Sequence, residues 1–440
     1  MKFKIRTLCA ALTLAASAHA AHADDLLQIY QQALKSDPVV LQAKAQRDQL
    51  YEAIEVNRAS LLPTISGQIG YSKAWNSYSG NSRGLTGTLS LSQSIYDHSV
   101  WVGLSLAEKT AAQADADYAA SLQSLIIRVT SAYFDVLSAK DTYEYQIAER
   151  TAIERQLEQT KQRFAVGLTA ITDVHEAQAQ YDLANAAVIT AQNSLTNSYE
   201  ALREITGVDH TDLKVLDTDR FSASMPTPAT PQQWQNLAEQ NSLSLLSYRL
   251  GKDIAKETIT YYKAGHYPSL SLDAGYTKAY DAQTYGNDIP DYDNKSVGIT
   301  MSVPIFEGFK VTSQVKQAQY AYVQANQLLE QNYRLVVKNI RSDFNNVNAS
   351  ISSIKAYEQS VVSSESALKA TQAGFEVGTR TIVDVLNSTY NLYNSKRQLS
   401  DARYSYINSI LALKQAAGTL TEDDVMAINK GLTADNRQQP

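Results

Sequence analysis

The polar residues that could carry chemistry lie at matching places in two copies of one sequence pattern. They are Gln156, Thr172, Asp173, Arg380, Asp384 and Asn387. A guanidinium beside a carboxylate can form an ion pair, and one carboxylate repeated around an oligomer forms a ring that attracts cations. If such sites from several chains met, Arg380 and Asp173 could pair and Asp384 would form the ring. The alternative is that these are ordinary surface charges at the ends of coiled helices, which contribute little individually.

Other chemistry has little support in the sequence. Beyond the N-terminal segment four histidines remain at scattered positions without the spacing of metal ligands: His98, His175, His210 and His266. Asp288, Asp291 and Asp293 lie in a loop whose composition is typical of a solvated turn rather than a calcium site. There is no nucleophile elbow, phosphate-binding loop or dinucleotide motif. The sequence therefore predicts no enzyme, no metal and no cofactor.

The pattern that contains the six polar residues occurs twice in the chain, 211 residues apart. FAVG at 164–167 and ITDV at 171–174 return as FEVG at 375–378 and IVDV at 382–385. Upstream, PTIS with GYSKA near residue 63 returns as PSLS with GYTKA near residue 268. Because a repeat determines the architecture, each copy is expected to contain the same elements.

Each copy begins with two alternating segments, within 63–96 and 268–306. In the first segment, one face holds Ile65, Ile69, Tyr71 and Trp75, while serine, threonine and glutamine occupy the other. A period of two predicts strands. Their length fits a tilted membrane strand, but a soluble, half-buried antiparallel sheet would give the same alternation.

Four strands cannot close on themselves. In hydrocarbon, an open sheet edge leaves backbone groups unpaired at a cost of several kcal/mol each. If these strands lie in a membrane, the protein must be an oligomer that pools them, with eight strands from two chains or twelve from three. No window of about 18 apolar residues follows the N-terminal segment, so no helix is expected to span a bilayer.

Each strand pair is followed by a long helical hairpin. No glycine or proline lies between Gly103 and Gly167, or between Gly308 and Gly374. Residues of the two copies recur every seventh position. They are Leu122, Val129, Val136, Tyr143, Arg150, Leu157 and Phe164, then Tyr333, Ile340, Val347, Ile354, Val361, Leu368 and Phe375. Sustained heptads predict coiled packing. The turns to the return helices hold Gly167 and Gly378.

The N-terminus reads as a secretory signal over residues 1–23. Lys2, Lys4 and Arg6 precede an apolar run, and AHA at 21–23 is a cleavage motif. Without this segment, which contains the only cysteine, 36 basic residues face 45 acidic ones, a net charge of −9. That balance argues against a nucleic-acid partner.

The predicted organisation has four further segments. A first repeat, 24–221, holds a helix, the strand pair 63–96, a long helix 99–166 and a return helix 171–206. A linker follows at 222–231. A second repeat, 232–430, holds a helix, the strand pair 268–306, a long helix 309–377 and a return helix 381–417. A polar tail occupies 431–440.

At the level of these motifs the chain resembles the TolC family of outer-membrane efflux and secretion ducts, most of all its enterobacterial members. The resemblance covers about residues 25–430. The matching stretches include QLEQ from Gln156, RFAVG to Gly167, AITDV from Ala170, VKQAQY from Val315, NASISSI from Asn348 and VGTRTIVDVL from Val377.

The resemblance implies a fold class of a membrane β-barrel joined to an α-helical barrel, closed by trimerisation. The implied partners are two further chains, outer-membrane lipid, a periplasmic adaptor and an inner-membrane RND, ABC or MFS transporter. Drugs or secreted proteins would leave through the duct. Arg380 would bond across the subunit boundary to Thr172 and Asp173, and Gln156 would help to hold the tip shut. Asp384 would form an aspartate ring at the periplasmic entrance.

Two residues depart from the family pattern. A tyrosine that bonds the counterpart of Asp173 is replaced by Phe375, so one hydrogen bond of the closed tip should be missing. A second aspartate, one turn after Asp384, is replaced by Asn387. We therefore expect a looser tip and weaker cation binding at the entrance.

Two other classes of function remain for comparison. A periplasmic coiled-coil adaptor would share the signal and the helical hairpins. Adaptors typically have one hairpin flanked by β-modules, whereas this chain has two hairpins with membrane-length strands. A cell-wall or lipid hydrolase with a coiled stalk would need a nucleophile constellation, which the sequence does not contain.

Overall fold

A computed structural model describes residues 23–75, 77–78, 81–284 and 287–435. The predicted signal lies outside these residues except for its last position, as do the last five residues of the predicted tail. The described residues form two compact units. One contains the described parts of 1–41, 121–242 and 336–440, and the other contains those of 42–120 and 243–335.

Helices make up most of the chain. They are α1 (Leu26–Ser36), α2 (Pro38–Ala59), α3 (His98–Ala165), α4 (Ile171–Thr206), α5 (Pro231–Asn241), α6 (Leu243–Lys263), α7 (Lys310–Glu376), α8 (Ile382–Ala416) and α9 (Glu422–Asn429). With 68 residues, α3 is about 100 Å long at 1.5 Å per residue. Among the described residues, none of the helices combines the length and apolar character needed to cross a membrane.

One helix is expected at the start of each repeat, but the structure has two there, α1 and α2 in the first repeat and α5 and α6 in the second. The first break lies at Asp37, whose backbone is extended because Pro38 disfavours helical geometry in the residue before it. The Asp37 carboxylate then caps α2 at the Val40 amide and accepts two hydrogen bonds from Arg128, both 2.8 Å long. The second break lies at Ser242, where the backbone is also extended.

The strands form one larger sheet and one small one. They are β1 (Thr64–Ala74), β2 (Ser82–Tyr96), β3 (Val215–Leu216), β4 (Ser269–Thr284), β5 (Asn287–Ile289), β6 (Tyr292–Ser302) and β7 (Leu432–Thr433). β3 pairs with β7, so the segment predicted as a polar tail begins with a short strand.

In the larger sheet the four main strands are antiparallel, in the order β1-β2-β4-β6, and β5 pairs only with the end of β4. Edge strands β1 and β6 expose their alternate apolar side chains. Ile69 is 83% exposed and Val297 is 79% exposed. A sheet with two such edges is open within one chain, as the sequence predicts.

The unit that contains the hairpin tips also holds buried charges among its heptad core. Glu149 of α3 is buried and forms an ion pair with Arg397 of α8, 3.2 Å from Oε2 to Nη1. Asp141 is buried next to Tyr404, whose hydroxyl donates to Oδ2 at 2.7 Å. Such pairs link the outgoing helix of the first hairpin to the return helix of the second.

Candidate functional site at the hairpin tips

Both hairpin tips use the same backbone turn. Gly167 and Gly378 each have φ of 80°, the left-handed region that glycine adopts without steric cost. In the first tip, the Leu168 amide donates to the Arg163 carbonyl at 2.8 Å. In the second, the Thr379 amide donates to the Gly374 carbonyl, also at 2.8 Å. Each glycine amide also donates to the carbonyl three residues earlier, Gly167 to Phe164 at 2.9 Å and Gly378 to Phe375 at 3.2 Å. Both tips are therefore Schellman turns, which explains a glycine at the same place in both copies.

Arg380 lies on the exposed side of the second tip. Its backbone amide donates to the Gly374 carbonyl at 3.2 Å. The start of its side chain lies against the same residue, since a Cβ added to Gly374 would be 2.7 Å from Arg380 Cγ. Hydrogen bonds therefore fix the backbone of this tip, and the Arg380 side chain is exposed.

Asp384 has a structural role as well as a predicted one. Its Oδ2 accepts from both the amide and the hydroxyl of Thr381, each at 2.9 Å, and the Thr381 hydroxyl caps the Asp384 amide in return. This capping box starts α8. The hydrogen bonds from Thr381, with a smaller contribution from the charge of Arg380, hold the pKa of the Asp384 carboxyl below its ordinary value. Asp384 is therefore negatively charged at neutral pH.

Asn387 lies three residues after Asp384 and is exposed. Residues at this spacing share a face of the helix, so the two side chains are neighbours on α8. An aspartate at 387 would double the carboxylates of this face, whereas the asparagine adds no charge.

The first tip is built differently. Ala170 precedes α4 and provides no side-chain cap. Asp173, in the first turn of α4, instead accepts a hydrogen bond from the Thr169 hydroxyl. Thr172 beside it is exposed. Within the chain, the predicted partners of Arg380 thus lie at the surface of the other tip, and the bond between subunits stays a prediction.

A small apolar core holds the two tips of one chain together. It draws on all four helices and consists of Ile153, Leu157, Ala177, Ala184, Phe375, Ile382, Val385 and Leu386. Any movement of one tip relative to the other must disturb this packing, because core side chains fit closely against their neighbours.

Phe375 belongs to that core and makes a contact that the sequence did not predict. The Arg163 guanidinium lies over its ring, 4.7 Å from the centroid. Cation–π contacts of this kind contribute about 0.5–2 kcal/mol. Arg163 Nε is buried without a hydrogen-bond partner, as is Gln156 Nε2 one heptad earlier on the same helix. The ring–guanidinium contact therefore links the two tips.

The heptad line is not equally buried in the two copies. Phe375 is 7% exposed, whereas its counterpart Phe164 is 42% exposed. Equivalent positions of the heptad line therefore differ in burial within one chain, and Phe375 is the ring that enters the core between the tips. Within the part of the chain that the structure describes, no cluster of three or more histidine, cysteine or acidic side chains could hold a metal ion.

Comparison with known proteins agrees with this architecture. The chain matches the outer membrane efflux protein family over residues 29–208 and 234–419. It is 48% identical over 439 residues to outer membrane protein TolC of Vibrio cholerae, covering 98% of both chains. It is 43% identical over 442 residues to outer membrane protein TolC of Escherichia coli, covering 98% of this chain and 89% of that one.

A solved structure extends the likeness to the fold. The outer membrane channel CmeC of Campylobacter jejuni superposes with a TM-score of 0.78 at 16% identity, covering 93% of this chain and 90% of that one. The predicted fold class is confirmed in the single chain, with an antiparallel sheet and long helical hairpins. By its sequence, the chain belongs to the outer membrane efflux protein family, within its TolC group.

Proposed function

We propose that three copies of this chain form a duct through the outer membrane that the hairpin tips keep closed at the periplasmic end. The family makes the protein an outer-membrane export channel. In the proposed trimer, three sheets close into a twelve-stranded barrel and the hairpins form a tunnel. Drugs and secreted proteins pass when a periplasmic adaptor and an inner-membrane RND, ABC or MFS transporter engage the protein.

The observation that carries this proposal is the arrangement of the two tips. Each ends in a rigid glycine turn, and a common core joins them within one chain. Arg380 extends from one tip, and Thr172 and Asp173 lie at the surface of the other. Closure between subunits would need these complementary groups, and the open sheet edges require neighbouring chains independently.

Three lines of support separate this function from the alternatives. The family match includes both repeats, whereas the adaptor alternative expects one hairpin with flanking β-modules. The sheet exposes apolar residues along both edge strands, as strands in contact with lipid do. The family is one of transport proteins, so the hydrolase alternative has no support.

Replacing Arg380 with serine is expected to open the duct. The change removes the guanidinium that would bond Thr172 and Asp173 of the next subunit, while the backbone bonds of the tip remain. We expect the conductance of the detergent-purified protein in planar bilayers to be small and mostly closed, and to rise severalfold in Arg380→Ser. Lys355→Ser, which removes an exposed cation from α7 far from the tip, is the control and should conduct like the parent.

Equal conductance of the parent and Arg380→Ser would refute closure by this residue. No conductance from either variant, in a protein that is soluble without detergent, would refute the membrane duct as a whole.

Asn387→Asp is expected to strengthen block by divalent cations. A second carboxylate about 6 Å from a divalent ion in water adds roughly 1.4 kcal/mol, or about tenfold in affinity. Because the pKa of Asp384 is lowered, the proposed ring of Asp384 carboxylates is already negatively charged in the parent at pH 7. The carboxylates of Asn387→Asp therefore add to that charge. The measurement is the Mg²⁺ concentration that halves single-channel conductance, and Asn387→Ser is the uncharged control. Equal block in the parent and in Asn387→Asp would contradict the expected role of this position.

A further inference from the structure

The apolar face of the sheet carries basic side chains at one end. The four main strands contain four lysines or arginines in total, one in each strand. We call them the cationic rim: Lys73, Arg83, Lys278 and Lys295. A face in contact with lipid is expected to exclude charge, so their position requires an explanation.

Strand register places all four on that face. Lys73 is directly opposite Arg83, and it has the same parity along β1 as the exposed Ile69. Ile69 pairs with Gly87, and Gly87 pairs with Lys278 on its other side. Since directly paired residues point to one face of a sheet, Lys278 shares the face of Ile69.

The fourth cation follows by the same reasoning. Lys295 pairs with Tyr276, which has the parity of Lys278 along β4. The opposite face carries Asp273, whose carboxylate accepts from the Ser92 hydroxyl at 2.8 Å. The basic residues of these strands thus lie on the apolar face, and not on the polar face, where charge would be hydrated.

The ammonium groups lean along the strands in one direction. Lys73 Nζ lies over the Trp75 ring, 5.1 Å from the centroid, and Lys278 Nζ over the Tyr280 ring at 4.9 Å. Both aromatic residues are two positions closer to the hairpin loops. Lys295 Nζ is 3.2 Å from Asp293 Oδ2, which is also two positions closer to the loop.

This geometry is that of side chains at the boundary of a bilayer. A lysine or arginine on the lipid face of a barrel costs about 2–4 kcal/mol at the midplane and about 0–1 kcal/mol near the interface. Long basic side chains therefore direct their charge toward the headgroups. From Ile65 to Lys73, β1 rises about 26 Å, or roughly 20 Å along the membrane normal at a tilt near 40°. The apolar stretch below the rim therefore covers most of the apolar band of an outer-membrane barrel, which is about 25 Å tall.

The rim lies at the outward end of the sheet. Helices α2, α3, α6 and α7 attach at the opposite ends of the strands. In the proposed insertion these helices lie on the periplasmic side. The hairpin ends of β1–β2 and β4–β6 are then external. Two carboxylates lie beside the rim, since Asp293 pairs with Lys295 and Asp291 interacts electrostatically with Lys278. The four rim cations outnumber these two carboxylates.

We infer that the cationic rim binds the phosphate groups of a phosphorylated glycolipid in the outer leaflet. The lysines and the arginine supply charge-assisted donors to phosphate, and the neighbouring tyrosine and tryptophan rings lie at headgroup depth. The inference rests on the proposed insertion in the outer membrane, but it is independent of closure at the hairpin tips.

The test is binding of a bisphosphorylated lipid A-type glycolipid to the detergent-purified full chain, measured by native mass spectrometry. The parent should bind it at least about tenfold more tightly than the enzymatically dephosphorylated lipid, since each basic residue near an anionic headgroup contributes substantially. A variant with all four rim residues replaced by glutamine should lose that preference. The control replaces four exposed helical cations with glutamine and should keep it: Lys44, Lys256, Lys316 and Arg334.

Several outcomes would overturn the inference. These are no preference for phosphate in the parent, an undiminished preference in the rim variant, or equal loss in the control. Competition by millimolar inorganic phosphate would show that the site takes the free ion, and would overturn the assignment to lipid. If the rim variant fails to fold, the affinity of the parent for the phosphorylated lipid is measured at increasing salt concentration. An affinity that does not fall with salt would overturn the inference, because salt screens ionic contacts at an exposed rim. A parent that conducts in bilayers but has no preference for phosphate refutes only this inference.

Discussion

Arg397→Met is expected to destabilise the protein by about 3–5 kcal/mol at neutral pH, because it leaves the buried Glu149 carboxylate without its partner. Glu149 is 4% exposed, and Arg397 approaches it to 3.2 Å. Burial already raises the pKa of Glu149 above its ordinary value, with Arg397 acting in the opposite direction. Without Arg397 that pKa should rise further. The measurement is the free energy of unfolding by urea in detergent, at one fixed protein concentration.

The pH dependence of this loss has a definite sign. A carboxyl whose pKa is raised by folding stabilises the fold when it is protonated, and this contribution disappears as pH rises through the raised pKa. The loss in Arg397→Met should therefore be largest above that pKa and should shrink toward the ordinary glutamate range. The double variant Glu149→Gln/Arg397→Met is the control and should recover most of the stability. A loss that is independent of pH and persists in the double variant would mean that packing, not charge, explains it.

Gly418→Ala is expected to cost more than about 4 kcal/mol, a loss typical of a backbone clash. A Cβ at this position would be 2.2 Å from the Asn241 carbonyl oxygen and 2.7 Å from the Ser242 amide nitrogen. Neither is a flexible side chain that could turn away. The extended backbone at Ser242, where the predicted helix breaks, lies at this close approach. Thermal unfolding of purified protein would measure the effect.

The chain provides a matched control for that substitution. Gly207 ends the return helix of the first repeat as Gly418 ends that of the second, and their φ angles are 73° and 72°. An added Cβ at Gly207 meets nothing within 4 Å. Gly207→Ala should lower the stability only by the cost of holding an alanine in the left-handed backbone conformation, about 1–2 kcal/mol. Equal losses at the two positions would show that backbone strain alone is responsible and that the contact with Asn241 is unimportant.

Much of the architecture follows from local sequence. The alternating segments around Ile65 and Ile299 predict strands, because successive side chains of a strand point to opposite faces and so repeat with a period of two. The heptads predict long paired helices, and the glycines at 167 and 378 predict their turns, since each must adopt a left-handed backbone. The sequence also contains the signal for the capping box of Thr381 and Asp384, which is a threonine followed three residues later by an acidic residue.

Other features of the site required the tertiary structure. Phe164 and Phe375 occupy equivalent heptad positions, yet within one chain only Phe375 is buried, because it packs into the core between the tips. Arg163 over Phe375 joins residues 212 positions apart, which no local pattern encodes. The ion pair of Glu149 and Arg397 is likewise invisible in the sequence, where each is one of many charged residues on a helix.

By itself, then, the sequence determined the repeat, the element types and the tip residues, because these depend on backbone geometry and short-range periodicity. Only the tertiary structure decided which of two equivalent residues enters the core. It also decided which charges pair in the interior and that the basic residues of the strands share one face. These properties depend on register and on contacts between distant segments, where a shift of one residue would reverse every side chain of a strand.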